Sequence, residues 1–472
     1  TNSTDFDVSG SKYSLSLTLE DVIEIVRLEQ PEGVILQMGG QTPLKLAQPL
    51  ERLGVKILGT PVEAIDRAED RERFEEAARK LGVRQPPNGL ATSVEQAAEI
   101  AGRIGYPVLV RPSYVLGGRG MVIVYDEPQL RHYFETAARV SHERPVLIDR
   151  FLEDAFEADV DALCDGESVV IAGVMQHIEE AGVHSGDSAQ VLPPYLLGDA
   201  EVAEMREQTR KFALELGVIG LINVQYAVFE GQVYVIEVNP RASRTVPFVS
   251  KATGVPIAKI AARLMVGERL ADFALPEEIP VGGVAVKESV FPFNKLEGDI
   301  LLGPEMRSTG EAMGFDDSFG MAFAKAQVSA GMSLPSGGNV IITVNDRDKR
   351  TATTFARRLH DMGFRIQATG GTARYFRQRG IPCETIYKVN EGRPNMADHL
   401  ISGDVALLIN TPLGKQSQYD DYTARRAAIA YKVPYITTLS AAEAAVDAIS
   451  ALRSRTREVR SIQERTGGLS AA

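Results

Sequence analysis

Leu221-Ile-Asn-Val-Gln-Tyr-Ala-Val-Phe-Glu-Gly-Gln-Val-Tyr-Val-Ile-Glu-Val-Asn-Pro-Arg241 decides the fold of this chain. Two apolar, β-branched runs flank Glu230-Gly231, which reads as a β-hairpin. The second run carries Glu237, Asn239 and Arg241 at i, i+2 and i+4, so their side chains share one strand face. A carboxylate, an amide and a guanidinium are costly to bury on a strand of Val, Ile and Tyr unless they bind something. Hard oxygen ligands beside an arginine suit Mg²⁺ holding a polyphosphate. A three-residue turn around Gly231 would set Gln225 opposite Glu237 as a second oxygen ligand, a register the sequence does not fix. The plainer reading is a surface strand with one wet face. Against it, the Ala242-Ser-Arg-Thr-Val-Pro247 that follows is not ordinary turn chemistry.

Working outward, Arg111-Pro-Ser-Tyr-Val-Leu-Gly-Gly-Arg-Gly120 joins two apolar strands, Val108-Leu-Val110 and Met121-Val-Ile-Val124. Its glycines let backbone approach phosphate oxygens, and Arg119 adds charge. No Gly-Lys-Ser/Thr follows, so it is not a P-loop. Further along, Gln176-His-Ile-Glu-Glu-Ala-Gly-Val-His-Ser-Gly-Asp-Ser188 gathers ionisable groups around two glycines. His177 and His184 match no zinc spacing, and a nucleotide-contacting loop is the better reading. No Ser-His-Asp set or activated cysteine is evident. Cys164, on an apolar strand, reads as core.

The Glu237-Val-Asn-Pro-Arg241 signature resembles the metal strand of the ATP-grasp ligases. Continued through Arg241-Ala-Ser-Arg-Thr-Val-Pro-Phe-Val-Ser-Lys-Ala-Thr-Gly-Val-Pro256, it resembles the large chain of carbamoyl phosphate synthetase. Specific pieces recur along essentially the whole sequence: Gly39-Gly-Gln-Thr-Pro-Leu-Lys-Leu-Ala47, Ala64-Ile-Asp-Arg-Ala-Glu-Asp-Arg71, the Arg111–Arg119 loop, Ala181-Gly-Val-His-Ser-Gly-Asp-Ser188 and Leu302-Gly-Pro-Glu-Met-Arg-Ser-Thr-Gly310. The resemblance is to the carboxyl-terminal half of that chain. That half phosphorylates carbamate with ATP, giving carbamoyl phosphate for pyrimidine and arginine synthesis.

The resemblance implies roles for individual residues. The glycine loop closes over ATP, with Arg111 on phosphate. Arg150, Leu152 and Glu157, around Pro145-Val-Leu-Ile-Asp-Arg-Phe-Leu-Glu-Asp154, line the nucleotide site, although Leu152 read from sequence alone is plain core. Gly182, Val183, His184 and Ser185 contact the nucleotide. Gln225, Glu237 and Asn239 are the metal ligands, for Mg²⁺ or Mn²⁺, expected as two ions, with K⁺ as a further cation. Gln225 and Glu237 thereby belong to the ATP site as well. Arg241 and Arg244 orient the acceptor or the transferring phosphoryl group. Glu179, Asp187 and Glu288 hold the α-amino group of ornithine where that activator is used; a solvated acidic loop is the plainer reading of these three.

Composition sets wide bounds. The 472 residues suggest about three domains at ~150 residues each. Hydrophobic content of 44% and charged content of 24% are those of ordinary globular protein. The net charge of −12 and the lack of any Lys/Arg-rich block argue against a nucleic-acid partner. The anionic ligand must then be held locally. The two cysteines, Cys164 and Cys383, form no C-x-x-C, so neither zinc nor a disulfide framework is suggested. No run of ~18 apolar residues occurs and the first residues lack a signal-peptide pattern. A cytoplasmic protein with no membrane segment is expected.

The expected organisation is α/β and α+β in several domains. A partial pre-ATP-grasp α/β unit occupies 1–65, with a helix near Val22–Val26, a buried strand Gly33–Met38, a helix Pro43–Leu53 and a strand Val55–Leu58. An ATP-grasp domain occupies 66–267. A connector, 268–335, is too long for a plain loop and must carry small elements. A doubly wound, Rossmann-like domain occupies 336–472, with strands at Asn339–Val344, Gly363–Ala368, Asp404–Ile409 and Tyr435–Thr438. This last domain resembles the methylglyoxal synthase-like regulatory domain. Its strand ends carry Thr369-Gly-Gly-Thr372, Asn410-Thr411 and Thr437-Thr438, which in a parallel sheet converge on one edge. Gly370 and Gly371 allow close approach of backbone N–H groups, a helix begins near Thr372, and Lys388 supplies charge, with Lys349 and Lys415 as weaker candidates. A phosphorylated effector is the reading, and the resemblance points to UMP or IMP. Ordinary caps and turns are the plainer account.

The family's pre-ATP-grasp domain begins with a strand and a glycine-rich turn upstream of Thr1, and its bicarbonate-phosphorylating half has no counterpart here. The expectation is therefore a fragment, a split-gene product or an incompletely read protein, working with a glutaminase small subunit and the amino-terminal half of the large chain. Oligomeric assembly is compatible with it. The alternatives are another ATP-grasp ligase, which would lack the last domain, and a catalytically silent nucleotide-binding regulatory fragment.

Overall fold

The computed structural model describes residues 10–112, 121–137, 145–295, 299–411 and 414–465, without the side chains of 112, 135–137 or 414–420. Arg119 with most of the glycine loop, and the side chain of Lys415, lie outside the described residues. Four sheets follow one another along the chain.

The first unit is small. Strands Val34–Ile35 and Ile57–Leu58 pair in parallel over a core that includes Leu36, Leu44, Leu50 and Ile65. The expected strand is thus only two residues long. The expected helix Pro43–Leu53 is two pieces, Gln41–Leu44 and Ala47–Arg52. Pro49 explains the break, because its ring would collide with the Lys45 carbonyl in a continuous helix.

A four-stranded antiparallel sheet comes next, in the order Asn88–Ala91, Val146–Arg150, Val108–Pro112, Val122–Val124. Helix Val94–Ile104 starts at Ser93, whose hydroxyl accepts from the Gln96 N–H. It buries Ala97 and Ala101 against Val108, Val110 and Ile148.

The central sheet has seven strands, all antiparallel. Their order is Gln232–Asn239, Ile219–Phe229, Phe156–Asp165, Val169–His177, Gln190–Leu192, Val284–Val290, Gly310–Asp316. The last two strands come from the 268–335 segment, so that segment is built into the sheet rather than only linking domains.

Alternation, offset at two register irregularities, sorts the central strands. Val160, Ala162, Val224 and Val238 face helix Asp199–Glu215, which buries Val202, Met205, Phe212 and Ala213 against them. The other face is divided along its length. Leu163, Val170, Ala172 and Leu221 lie under helices Val246–Thr253 and Ile257–Met265. Two and four residues from Leu163 and Leu221 on their strands, the same face turns polar, with Asp161, Asp159, Asn223 and Gln225.

The carboxyl-terminal sheet is parallel, ordered Glu384–Ile386, Arg365–Thr369, Asn339–Val344, Val405–Thr411, Tyr435–Ile436. This is the 3-2-1-4-5 order of a doubly wound sheet. Val340 and Ile342 face one helical layer and Ile341 the other, which is why the strand reads as a continuous apolar run. The edge strand Glu384–Ile386 was not expected; three residues carry too short a pattern to announce it.

This sheet does not stand apart from the central one. Ile178, Val191 and Val286 share a core with Phe323, Val340 and Ile449 through helices Phe319–Ser329 and Leu439–Ser454. Buried Arg425 ties the two further, with its Nε 2.6 Å from Asp299 Oδ1 and its Nη1 3.0 Å from Asn410 Oδ1. Arg347 pairs with Glu153 at 2.9 Å.

Candidate active site

The hairpin closes through two residues, Glu230 and Gly231, at φ 51° and 71°. Phe229 pairs directly with Gln232. Both central residues at positive φ make the tight, right-twisting hairpin turn for which glycine is favoured. The expected three-residue turn is therefore absent, yet Gln225 does stand opposite Glu237. The extra residue enters later. Tyr226 pairs with Val235 and Gln225 with Glu237, so Ile236 is a β-bulge. A bulge lets two successive side chains emerge on one face. Ile236 packs with Leu152, Ala155 and Ala227, and Glu237 joins the polar face beside it.

Across the sheet that polar face carries Glu237 and Asn239, then Asn223 and Gln225, then Glu157, Asp159 and Asp161, then His177, Gln190 and Lys287. Asn239 donates to Asn223 Oδ1 at 3.4 Å, and its own oxygen accepts from Arg241 Nη2 at 2.8 Å. Arg241 Nε reaches Gln41 Oε1 at 3.3 Å, joining the first unit to the site. Gln225 donates to Ser185 Oγ at 3.2 Å. Arg244 is exposed, and its charge is felt at His184, Glu311 and Arg241.

Charge is balanced internally. His177 Nε2 lies 2.9 Å from Asp159 and its Nδ1 3.4 Å from Glu157. Burial pushes the imidazole down, but these two carboxylates outweigh it and raise its pKa to about 9, so it is cationic at neutral pH. Asp159 is opposed by burial and still held low by His177 and Gln190. Asp161 is pushed up to about 6 by burial, against hydrogen bonds from Thr245 and Asn223. Burial lowers Lys287, Arg241 and His184.

Beside this face, between the four-stranded and the seven-stranded sheets, lies a narrow cleft. Arg111, Arg150, Leu152, Glu157 and Gly182 all line it, with Ile236 as apolar floor. Arg111 and Arg71 flank Asp149, at 2.9 and 2.6 Å. Arg150 turns its guanidinium to the Tyr106 carbonyl. Gly182 sits at φ 88°, its N–H donates to Glu157 at 3.1 Å, and a Cβ there would lie 2.9 Å from the Phe151 ring. Only glycine fits.

The rest of the 182–188 loop is braced from 302–310. Val183 is buried and His184 N–H donates to the Gly303 carbonyl at 2.8 Å. Both oxygens of Asp187 are taken by backbone, from Arg307 N at 2.7 Å and Ser308 N at 2.8 Å. Asp187 is thus separated in role from Glu179 and Glu288, which meet each other at the seam with the last domain. Glu179 accepts from Thr438 at 2.7 Å and Glu288 from Gln327 at 2.6 Å.

Burial raises Glu179 to about 7 and Glu288 to about 8, the charge of Glu179 adding to the second. These groups keep protons in the fold that the unfolded chain releases from about pH 4.5 upward. Stability is therefore lost as pH rises from that value through about 8. Glu288→Gln removes the larger shift. Its melting temperature gains on the parent by a few degrees between pH 5.5 and 8.5, as calorimetry at both values will read. A gap that does not change with pH contradicts this.

In the last domain, Thr369 and Thr343 hydroxyls are 3.2 Å apart, Thr372 donates to the Val344 carbonyl at 3.4 Å, and Thr411 donates to Asp348 at 2.8 Å. Asn410 donates to Asp421 at 2.8 Å. Lys349 Nζ would lie 3.0 Å from a Cβ on Gly371, over the start of helix Gly370–Arg377, and pairs with Asp346. Lys388 follows the parallel strand Glu384–Ile386, at the same end of the sheet as Thr369.

The donor set Gln225, Glu237, Asn239 fits a hard divalent cation in type: one carboxylate and two amide oxygens converging from paired strands. Among the described residues no cluster of three His, Cys, Asp or Glu offers a metal site of another kind. Sequence reasoning missed Asp159 and Asp161. The signal was present in Phe156-Glu-Ala-Asp-Val-Asp-Ala-Leu-Cys164, where acids recur at i, i+2, i+4 exactly as ligands do on the hairpin strand.

Three family models match: the carbamoyl-phosphate synthase L chain ATP binding domain over 70–273, an MGS-like domain over 351–437, and the carbamoyl phosphate synthase preATP-grasp domain over 1–67. The carbamoyl phosphate synthase large chain of Gemmatimonas aurantiaca is 64% identical over 98% of this chain and 42% of its own length. The C-terminal section of the Aquifex aeolicus large chain is 52% identical, over 98% of this chain and 90% of its own. The chain spans about half the length of most of the curated relatives it matches.

Among solved structures, the biotin carboxylase domain of Hydrogenobacter thermophilus 2-oxoglutarate carboxylase, in complex with MgADP and bicarbonate, gives a TM-score of 0.55 at 20% identity, covering 68% of this chain and 78% of that one. Campylobacter jejuni biotin carboxylase gives 0.54 at 18%, covering 66% and 77%. These two likenesses concern the fold. Membership follows from the closer relatives and the matched models together: the chain belongs to the carbamoyl phosphate synthase large chain family and corresponds to its carboxyl-terminal half.

Proposed function

We propose that this chain binds MgATP in the cleft and transfers its γ-phosphoryl group to carbamate, forming carbamoyl phosphate. The observation that carries this reading is the bulged register, with Gln225 opposite Glu237, Asn239 two residues further along the strand, and the bulge residue Ile236 next to Glu237 lining the cleft. The matched ATP binding domain supports it. Ile236, Leu152 and Gly182 form the nucleotide's apolar and backbone surface; Arg111 and Arg150 belong to the same lining. His184 and Ser185 follow Gly182 of that lining, and Ser185 accepts from Gln225. Glu237, Gln225 and Asn239 hold the divalent ions, Mg²⁺ or Mn²⁺, with K⁺ as a further cation. A bound divalent ion neutralises charge on the β- and γ-phosphates. Arg241 and Arg244 orient the acceptor and offset charge as it spreads over the transferred group. Asn239's oxygen now accepts from Arg241; with a cation held there, that guanidinium would be free for the acceptor.

The larger setting is inferred from the family. Glutamine hydrolysis and bicarbonate phosphorylation belong to a glutaminase subunit and the amino-terminal half, and the product feeds pyrimidine and arginine synthesis in the cytoplasm. No helix among the described residues is long and apolar enough to cross a membrane. The last domain is read as allosteric. A nucleoside monophosphate sits at the Thr369, Thr372, Asn410 and Thr411 edge with Lys349 and Lys388, and an α-amino ligand such as ornithine at Glu179 and Glu288, with Asp187 ordering the adjoining loop.

Supplied with MgATP, bicarbonate and ammonia, which form carbamate in solution, the isolated chain consumes ATP in step with carbamoyl phosphate, followed by ³¹P NMR. ATP turnover indifferent to carbamate overturns the assignment.

A further inference from the structure

We propose that Asp161 is a positioning residue that clamps the turn bearing Arg241 and Arg244 to the metal strand. This rests on the phosphoryl-transfer reading above. Asp161 lies on the central strand Phe156–Asp165, fully buried. Its Oδ1 accepts from Asn223 Nδ2 and from Ser243 Oγ, both at 2.9 Å. Its Oδ2 accepts from Thr245 Oγ1 at 2.6 Å. Ser243 and Thr245 hydroxyls are in turn 2.7 Å apart. One carboxylate therefore grips both hydroxyls that bracket Arg244.

The grip runs in the other direction too. Asn223, held by Asp161, accepts from Asn239 at 3.4 Å. The segment is fixed before the turn at Asn239, through Asn223, and at the turn's end through Ser243 and Thr245, with both arginines between.

Local chemistry shows that this arrangement is not incidental. Thr245 is the N-cap of helix Val246–Thr253, yet its side chain makes no capping bond. A threonine there ordinarily caps the helix. Here its hydroxyl goes to Asp161 instead, leaving the helix start uncapped by its own side chain. A wholly buried acid is also expensive to keep. A site needing only shape would be served by an apolar residue on a strand whose neighbours are Val160 and Ala162. Asp161 is wholly buried with both oxygens taken by Asn223, Ser243 and Thr245, so its effect passes through the residues it holds.

Three variants test this: Asp161→Asn, which keeps shape and loses charge; Thr245→Val, which loses only the hydroxyl; and Thr245→Ser, which keeps it. Hydrogen exchange of the 239–246 segment is one readout and steady-state kinetics with carbamate the other. Asp161→Asn and Thr245→Val speed exchange in that segment alone. They lower kcat at least tenfold while KM for ATP stays within about twofold, because the nucleotide lining lies elsewhere. Thr245→Ser behaves as the parent, and the double variant Asp161→Asn/Thr245→Val is no worse than the single ones. Unchanged exchange in 239–246, or a kcat of the folded protein equal to the parent's, overturns the proposal. A parent protein without carbamate-dependent turnover refutes the functional reading instead, and the exchange arm still decides whether Asp161 holds the turn.

Discussion

Glu237→Gln folds as the parent does and loses roughly 100-fold or more in carbamate-dependent turnover. The substitution is isosteric, and its strand partner Gln225 is itself an amide, so the register Gln225–Glu237 survives without a new steric or hydrogen-bonding conflict. What disappears is the one carboxylate in a donor set otherwise made of the amides of Gln225 and Asn239. Loss of an outer partner of a metal ligand already costs ~10–100-fold, and a direct charged ligand acts on the transition state as well as on binding. Thermal unfolding at unchanged Tm, together with Mg²⁺ titration of the residual rate, will separate a lost ligand from a damaged fold. A normal rate at ordinary Mg²⁺ would remove Glu237 from the metal site.

In the last domain, Lys388→Ala and Thr372→Ala each lower nucleoside monophosphate affinity by roughly 10–100-fold, the worth of one charge-assisted phosphate contact. Lys388 and Lys349 stand at the edge where the Thr369–Gly371 backbone opens toward solvent, and the helix Gly370–Arg377 begins there. Basal turnover is unchanged in both variants, because the site reaches the metal strand only through coupling free energy. The structure offers a route for such coupling in Arg347, which neighbours Asp348 of this pocket and pairs with Glu153 next to Leu152 of the cleft. Calorimetry decides the matter: unaltered monophosphate affinity in both variants rules the pocket out.

The parts legible in sequence were those carried by pattern. Glu237 and Asn239 declared themselves because alternation on a strand is a rule of geometry and their polarity broke an apolar run. The parallel sheet at the carboxyl end was readable because strands buried on both faces, such as Val340-Ile-Ile342, leave an unbroken apolar string. The bulge at Ile236 was not readable. It arises from the balance between a two-residue turn and the packing of Ile236 against Leu152 and Ala227, residues about 84 and 9 positions away. The split of helix Pro43–Leu53 could have been foreseen from Pro49. Asp161 could have been noticed by spacing but not understood, since Ser243 and Thr245 lie more than 80 residues further on. The same holds for Asp187, whose backbone partners Arg307 and Ser308 are about 120 residues distant.

The most direct test of the account is the reverse half-reaction, which asks nothing of a glutaminase or of a bicarbonate-activating half. Given carbamoyl phosphate and MgADP, the isolated chain should form ATP in a Mg²⁺-dependent manner, and Glu237→Gln should form almost none. No ATP from the parent protein, or equal ATP from the two, would contradict the assignment of this polar sheet face as a phosphoryl-transfer site.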